Sequence, residues 1–554
     1  MKKKVSGIIS IILCFAILVS CVSVGSFAAQ EQKTTSDQSE SIYDGIMKGL
    51  YNTLNIIVEG LAKSICSIYI NPKDWQNIKD YDSDEIGFMK GRENYQTSAA
   101  DGNVWKLGYS KKSIVPEDIN NGKYNIGRDL LNKFAEGVYD DQCIRVAVID
   151  DNSGEGAVVL GAIDSLGVTS TDVRTIRKAI IEYCNSKNIK VSSINISATH
   201  AHSALDTQGV STEFFRKLFG AYWCNLIGFK GTMAGLETAE KFKQHFIDVS
   251  IDAIKEAIGN MEEGKLYFSA IDMSEYFKDK RGLISKENLP ETASFKFIPA
   301  SGKAPTYISD ITCHATSFSA SHNLVGSDYI YYCDEYIRNT DGGNFIMIPG
   351  AVGQVSRDID VDTTGMTEYE EKGASAKKLG QLVGEKITEA DYSTELSPVI
   401  NVRHRELFIF PENSLLTLAC EVGLVNNKIF YDGLIAKKYC MVTEMGYLEF
   451  GNEIALALFP GELYPEVFWD DEITGGANWD GTEWPYDSLS TAVEGVTTYA
   501  VSLTNDAIGY VLTDNNFAFM GHIIGEGIAD ETLSVGKHIG SYLVKEYLSL
   551  IDSF

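Results

Sequence analysis

The sequence predicts an α/β fold: a single large domain of mixed β-sheets flanked by helices, with a helical extension ahead of it. Three observations carry this expectation. From Val104 onward, apolar runs of strand length alternate with longer stretches whose apolar residues recur every three or four positions. The 554-residue chain is 44% hydrophobic and 22% charged, an ordinary globular balance at a length that buries a sizeable core. Beyond residue 41 there is no internal repeat and no low-complexity linker, which excludes coiled coil, collagen and whole-chain disorder.

The first element is a targeting segment. Lys2, Lys3 and Lys4 precede an apolar run from Val5 to Val19, and Ser26-Phe27-Ala28 fits a small-x-small cleavage site. This gives a signal peptide over 1–29 and an exported protein. Leu18-Val19-Ser20-Cys21 fits a lipoprotein site instead, which would leave the chain lipid-anchored on the outer cell surface of a bacterium. No later stretch has the 18 or more apolar residues of a membrane span. Residues 30–103 follow as a polar linker and helical extension. In it Ile42, Ile46, Leu50, Leu54, Ile57, Leu61 and Ile65 mark a helix. That helix packs on the main domain or makes peripheral membrane contact.

The main domain is expected over 104–554. Cys143–Asp150 and Ala157–Asp164 read as strands joined by an Asp151-Asn152-Ser153-Gly154 turn. Thr171 to Ser186 reads as a helix, Lys190–Ala198 as a strand, and Phe242, Phe246, Val249, Ala253 and Ala257 as one face of a helix ending near Gly259. Further strands fit Lys265–Ile271, Thr306–Cys313, Asn344–Ile348, Val399–Phe410, Glu453–Phe459 and Thr498–Leu503, with a closing helix around Leu533–Leu550. The cysteines after the signal are scattered without a C-x-x-C pair, so buried free thiols are expected rather than a cysteine zinc site.

Charge narrows the function. Lys+Arg number 48 against Asp+Glu 76, a net of −28, and no basic cluster follows the first four residues. Nucleic acid is therefore not a partner, since phosphate binding needs a basic surface. The histidines are only eight, so their placement is informative. Thr199-His200-Ala201-His202-Ser203 directly follows the Lys190–Ala198 strand, and residues i and i+2 of an extended chain face one side. Two imidazoles there can converge on a metal, or one can ligate while the other meets substrate. His314 also follows an apolar strand, and Glu462 follows another through Phe459-Pro460-Gly461. Strand ends of an α/β sheet are where sites gather, and histidine with carboxylate is a zinc-type set. A Gly-x-Ser-x-Gly elbow, a His-Glu-x-x-His helix and a phosphate-binding Gly-x-x-x-x-Gly-Lys-Ser/Thr loop are all absent from the sequence.

The order of motifs resembles the neutral/alkaline, non-lysosomal ceramidase family from about Val104 onward. The resemblance rests on short segments in a fixed order. They are Trp105-Lys106-Leu107-Gly108-Tyr109 with Ile114-Val115-Pro116, Gly137-Val138-Tyr139-Asp140-Asp141 with Ile144-Arg145-Val146, and Ala162-Ile163-Asp164-Ser165-Leu166. Then come the His200 and His314 segments, Ser327-Asp328-Tyr329, Pro349-Gly350-Ala351-Val352-Gly353-Gln354-Val355-Ser356, Phe459-Pro460-Gly461-Glu462, and Leu503-Thr504-Asn505-Asp506-Ala507-Ile508-Gly509-Tyr510-Val511. The resemblance implies a ceramidase-like fold; as a departure from the family's full-length enzymes, no C-terminal immunoglobulin-like domain is expected. It implies one Zn2+ on His200, His314, Glu462 and Tyr510. His202 would stabilise an oxyanion, Ser356 would place a hydroxyl near the reacting carbonyl, and Arg281 would match a further arginine segment. Two motifs depart from the family pattern: Ala204-Leu205 replaces Gly-Pro, and Gln354 replaces an acid.

Three functions follow in order. The first is an exported zinc amide hydrolase that cuts the N-acyl bond of ceramide or a related lipid amide. The second keeps the zinc and acts on another small amide or an ester. The third is a catalytically weak surface binding protein of the same fold. The acid- and tryptophan-rich stretch Trp469–Tyr486 is either a loop of packed aromatics or the rim of a pocket.

Overall fold

A computed structural model gives the structure. It describes residues 53, 60 and 77–553, apart from 84–86, 121–122, 128–133, 210–235, 319–322, 415, 418–428, 433–437, 476–477 and 519–529. The targeting segment and the expected Ile42–Ile65 helix lie outside the described residues.

Eight strands build the larger sheet: β1 (Trp105–Ser113), β2 (Cys143–Asp150), β3 (Ala157–Ile163), β4 (Val191–Ala198), β5 (Glu262–Ile271), β6 (Thr292–Pro299), β7 (Thr306–Ile311) and β8 (Asn344–Pro349). Their order is β8-β7-β6-β5-β1-β2-β3-β4, with a short Thr394–Glu395 strand on β5. A smaller sheet runs β9 (Ile400–Ile409), β11 (Lys438–Phe450), β12 (Ile454–Leu458), β13 (Thr497–Val501), with β10 (Ile429–Asp432) also on β11. Strands β2 and β3 are buried on both faces, so they read as unbroken apolar runs rather than alternating ones.

The sheets pack face to face. Trp105, Leu107, Ile149, Leu160 and Phe295 of the larger sheet meet Leu448, Phe450, Leu456 and Val501 of the smaller. Helices cover the outer faces. On one half of the larger sheet, α1 (Ser170–Lys187) and α2 (Leu236–Gly259) set Ile176, Ile180, Phe246 and Ile254 against Ile144, Val146, Val159 and Ile194. On the other half, α3 (Tyr329–Asp341) and α4 (Glu368–Glu389) cover Tyr307, Phe345 and Met347. Beyond the smaller sheet, the short α5 (Pro465–Trp469) precedes α6 (Ile539–Ile551), whose Leu543, Val544 and Tyr547 pack on Tyr447, Ala455 and Ala457. The result is four layers: helix, sheet, sheet, helix.

The larger sheet has a parallel pair on each side, β3 with β4 and β7 with β8, each joined by a crossover helix, α1 and α3 respectively. The sheet curls until β8 touches β2, β3 and β4. Among the described residues no ladder joins β8 to β4, so it does not close into a barrel. Just past the ends of β4 and β7 a parallel bridge pairs Ala201 with Ala315. This curl brings two strands from opposite sides of the sheet to one rim.

The strands expected from sequence all form, within a few residues at each end. The closing helix begins at Ile539 rather than Leu533, which instead ends a single 3-10 turn. Helices α3, α4 and α5 and strands β1, β6, β10 and β11 are additions. In α4 the glycines Gly380 and Gly384 weaken the helical pattern, yet packing demands them. A Cβ at Gly380 would stand 2.4 Å from the Tyr329 carbonyl oxygen on α3. The described cysteines Cys143, Cys184, Cys313, Cys333 and Cys440 are free and buried, as expected.

Candidate metal centre

Three strand ends deliver the site. After β4, Thr199 N–H donates to Ile163 O at 2.9 Å and Ala201 N–H to Ser165 O at 3.1 Å, so the His200 turn is sewn to the end of β3. The Thr199 hydroxyl adds a bond to Asp164 at 3.3 Å. Asp164 is itself gripped through both oxygens by the buried Arg145, at 2.8 and 2.7 Å. His200 takes φ +61, the left-handed region that a non-glycine residue enters only when its surroundings enforce it. After β7, the His314 backbone N–H donates to Val355 O at 2.9 Å. After β12, Pro460-Gly461 turns the chain into Glu462–Leu463, which pairs in parallel with Tyr510–Val511, Glu462 opposite Tyr510. Gly509, at φ +93, permits that pairing: a Cβ there would lie 1.7 Å from the Leu533 carbonyl oxygen.

The side chains converge. His200 Nε2 is 3.0 Å and His314 Nε2 3.4 Å from Glu462 Oε2. His202 Nε2 is 3.1 Å from His200 Nε2. One ring nitrogen from each of His200, His202 and His314 lies within 4.8 Å of the others. The backbone fixes the tautomers of two rings. His200 Nδ1 contacts Leu166 O at 2.8 Å, and His314 Nδ1 contacts Val355 O at 3.0 Å. A carbonyl oxygen only accepts, so Nδ1 carries the proton and the Nε2 lone pair of each neutral ring points inward.

Electrostatics sharpens the picture. Burial first, then the neighbouring imidazoles, hold His202 well below the usual histidine range. Burial lowers His314 to about 4. For His200 burial works the same way, but the Glu462 carboxylate outweighs it and raises the ring. Burial would raise Glu462, yet His200 and then His314 hold it far below the carboxylate range. Tyr510 is pushed well above its usual value by burial and then by the Glu462 carboxylate. These shifts describe a protonated His200 paired with Glu462; with that ring neutral, the cluster is a carboxylate facing inward lone pairs. Glu462 Oε2 is buried without a hydrogen-bond donor. A buried acceptor of that kind is costly unless something positive sits before it. A divalent cation fits this donor set: imidazole nitrogens, one carboxylate and a phenol oxygen suit zinc. The Nδ1–H bonds to backbone carbonyls are the outer partners that orient such ligands.

The other sequence candidates lie close by. Ser356 is buried on the Val355–Arg357 strand, one residue past the carbonyl that holds His314, and pairs with Lys278 across the Phe277–Asp279 strand. Gln354 is 6% exposed at φ +59, and its carbonyl accepts the Lys280 N–H. Arg281 stacks over the Tyr464 ring at 5.4 Å. That places Arg281 in a neighbouring group that sequence reasoning missed: Glu466 and Asp530, both buried, with Asp530 accepting from the Tyr464 hydroxyl. Burial pushes Glu466 and Asp530 each up to about 7. Their only advance signal was the Glu466 that follows the Glu462 motif by four residues. In the Trp469–Tyr486 stretch, Trp484 is 5% exposed and packs in the core near Gly540, so this tryptophan is structural.

No family model matches the sequence, and a search of curated proteins finds none that matches. Solved structures do. The chain is similar to neutral ceramidase from Pseudomonas aeruginosa, with TM-score 0.58 and 15% identity, covering 81% of this chain and 74% of that one. It is also similar to a ceramidase complexed with C2, with TM-score 0.57 and 14% identity, covering 81% and 75%. The chain therefore has the ceramidase fold.

Proposed function

We propose that this protein is an exported zinc-dependent hydrolase of the N-acyl bond in ceramide or a related lipid amide. The observation that carries the reading is the inward set of lone pairs around Glu462 Oε2, a buried acceptor with no donor. In this reading His200, His314, Glu462 and Tyr510 hold the ion. The chemistry such an ion supplies is Lewis acidity toward a water and toward the amide carbonyl. The residues supply the rest. Backbone carbonyls at Leu166 and Val355 hold the His200 and His314 rings in one tautomer and orientation. His202, held neutral beside them, stands where a developing oxyanion needs a partner. Ser356 and Arg281 are the outlying members, Arg281 steadying the Tyr464–Asp530–Glu466 group behind Tyr510. The domain over 104–554 carries the site, and the segment over 1–29 directs export. Among the described residues no helix is long and apolar enough to cross a membrane.

A second zinc reading has a specific observation in its favour. The buried Ala204, Leu205 and Gln354 differ from the ceramidase pattern near the site, which favours a different small amide or ester. One experiment separates these readings. The purified protein is stripped with a chelator, restored with zinc, and assayed on ceramides, N-acyl amino acids, short peptides and simple esters. Loss and recovery of ceramide hydrolysis supports the first reading. Metal-dependent turnover confined to other amides or esters supports the second. Hydrolysis that survives full metal removal overturns both.

A further inference from the structure

The His200 turn and the Glu462 turn belong to different sheets. Nothing in either sheet's ladder sets the gap between them. The segment Leu503–Asn505, just after β13, does. On one side it extends β4: Ala198 N–H donates to Leu503 O at 3.1 Å, and Asn505 N–H to Ile196 O at 2.8 Å. Thr504 pairs with Ser197 as an antiparallel bridge, their hydroxyls 2.7 Å apart. On the other side the same segment holds the Glu462 turn: Leu503 N–H donates to Gly461 O at 3.0 Å and Thr504 N–H to Phe459 O at 2.9 Å. A few residues on, Ile508 N–H donates to Pro460 O and Gly509 O accepts from Glu462 N–H.

Asn505 locks this arrangement. Its Oδ1 accepts the Ile196 N–H at 3.0 Å, so with its own N–H it closes both backbone groups of Ile196. Its Nδ2 donates to Asn195 Oδ1 at 3.0 Å. It is 2% exposed and sits at φ +65, and Leu503 two residues earlier sits at φ +48. Two left-handed residues in three make the chain switch sides, from Gly461 to Ile196, within one short span. Asparagine tolerates this region better than other residues with a side chain, and its amide mimics a backbone pair.

We propose that Asn505 is a positioning residue: it splices β4 to the Phe459–Glu462 turn and thereby sets the spacing of His200 and Glu462. The proposal rests on the metal-centre reading for its functional consequence, but not for its structural one. Asn505→Gly keeps the left-handed backbone and removes the amide. Asn401→Gly is the control, because Asn401 is equally buried and hydrogen-bonded but bonds Gln96 and its β11 neighbour Glu449.

Two readouts are taken on the full chain of each variant: zinc affinity by competition with a chromophoric chelator, and backbone amide exchange. In Asn505→Gly zinc affinity is expected to fall severalfold, by less than the roughly ten- to hundredfold of losing a bond made to a ligand itself. Amide exchange is expected to rise in 196–201 and in 459–464 together. Asn401→Gly should lower the melting temperature without either change. Ser197→Ala, which removes only the neighbouring hydroxyl bond, should move both readouts the same way by less; it decides the question if Asn505→Gly does not fold. Unchanged affinity, a fall no larger than in Asn401→Gly, or exchange that rises in one segment alone overturns the proposal. A native chain that takes up no zinc overturns the metal-centre reading instead, and the exchange data then decide the splice by themselves.

Discussion

Two buried clusters in this molecule combine a strand-borne glutamate with histidine, and they are balanced in opposite ways. Between α1 and the smaller sheet, Glu444 of β11 receives both Arg177 nitrogens at 2.8 and 2.5 Å, and Arg174 at 3.3 Å. Nearby, His404 Nε2 is satisfied by the Ser193 hydroxyl at 2.7 Å. Burial would raise the Glu444 carboxyl, but Arg177 and then Arg174 bring it down to about 2. At the rim, Glu462 faces two imidazole nitrogens at 3.0 and 3.4 Å and has no donor at Oε2. The first cluster brings its own positive charge. The second has been built with a surplus of acceptors and rigid outer supports. Matched charge marks a structural tie, while unmatched, preorganised acceptors mark a place prepared for a cation.

That contrast can be broken by exchanging which property each glutamate controls. Glu462→Gln should cost more zinc affinity than the roughly ten- to hundredfold of an outer partner, since it removes a ligand. The melting temperature of the metal-free protein should fall by less than in the Glu444 variant. Calorimetry with and without zinc checks both. Glu444→Ala should do the reverse. Stranding Arg177 costs about 3–5 kcal/mol of folding stability, with zinc stoichiometry unchanged in the protein that remains folded. A denaturant titration measures it.

The same pair sets a pH dependence. Glu444 has a depressed folded pKa, so its contribution is complete above the ordinary value of 4.5 and is lost as pH falls toward about 2. Native stability should therefore decline over that window, and Glu444→Gln should flatten the decline. His202→Ala sharpens the functional side. Zinc should stay bound while kcat falls about 10²–10³-fold, the scale of one lost oxyanion partner. The smallest effect is expected at Gln354→Asp. If an acid at this buried position assists turnover, kcat should rise by less than roughly tenfold, worth under about 1.4 kcal/mol; unchanged kinetics would make the position peripheral.

How much of this was legible beforehand depends on distance along the chain. The strands carrying His200, His314 and Glu462 were readable because each is a compact apolar run followed by a polar group. Helix α4 left a readable start, the Thr367-x-x-Glu370 capping box, but its glycines disguised the rest. What no local pattern contains is the curl that pairs Ala201 with Ala315, or the packing that brings Glu462 from a second sheet to the same rim. The ligand set was reached through resemblance to a family, and the sheet geometry supplies the physical reason those residues meet. Trp484 shows the opposite case. Its residue type advertised a pocket rim, while its surroundings are a core. Asn505 gave no signal of composition or period, because its importance lies in bonds to two segments that only the fold brings together.

The most direct test is the metal content of the purified chain by mass spectrometry, beside His314→Ala. The rim cluster predicts about one zinc per native chain, consistent with a single site of four protein donors, and its loss in the variant with the circular dichroism spectrum retained. Zinc at full occupancy in His314→Ala, or none in the native chain after zinc is supplied, would contradict the account.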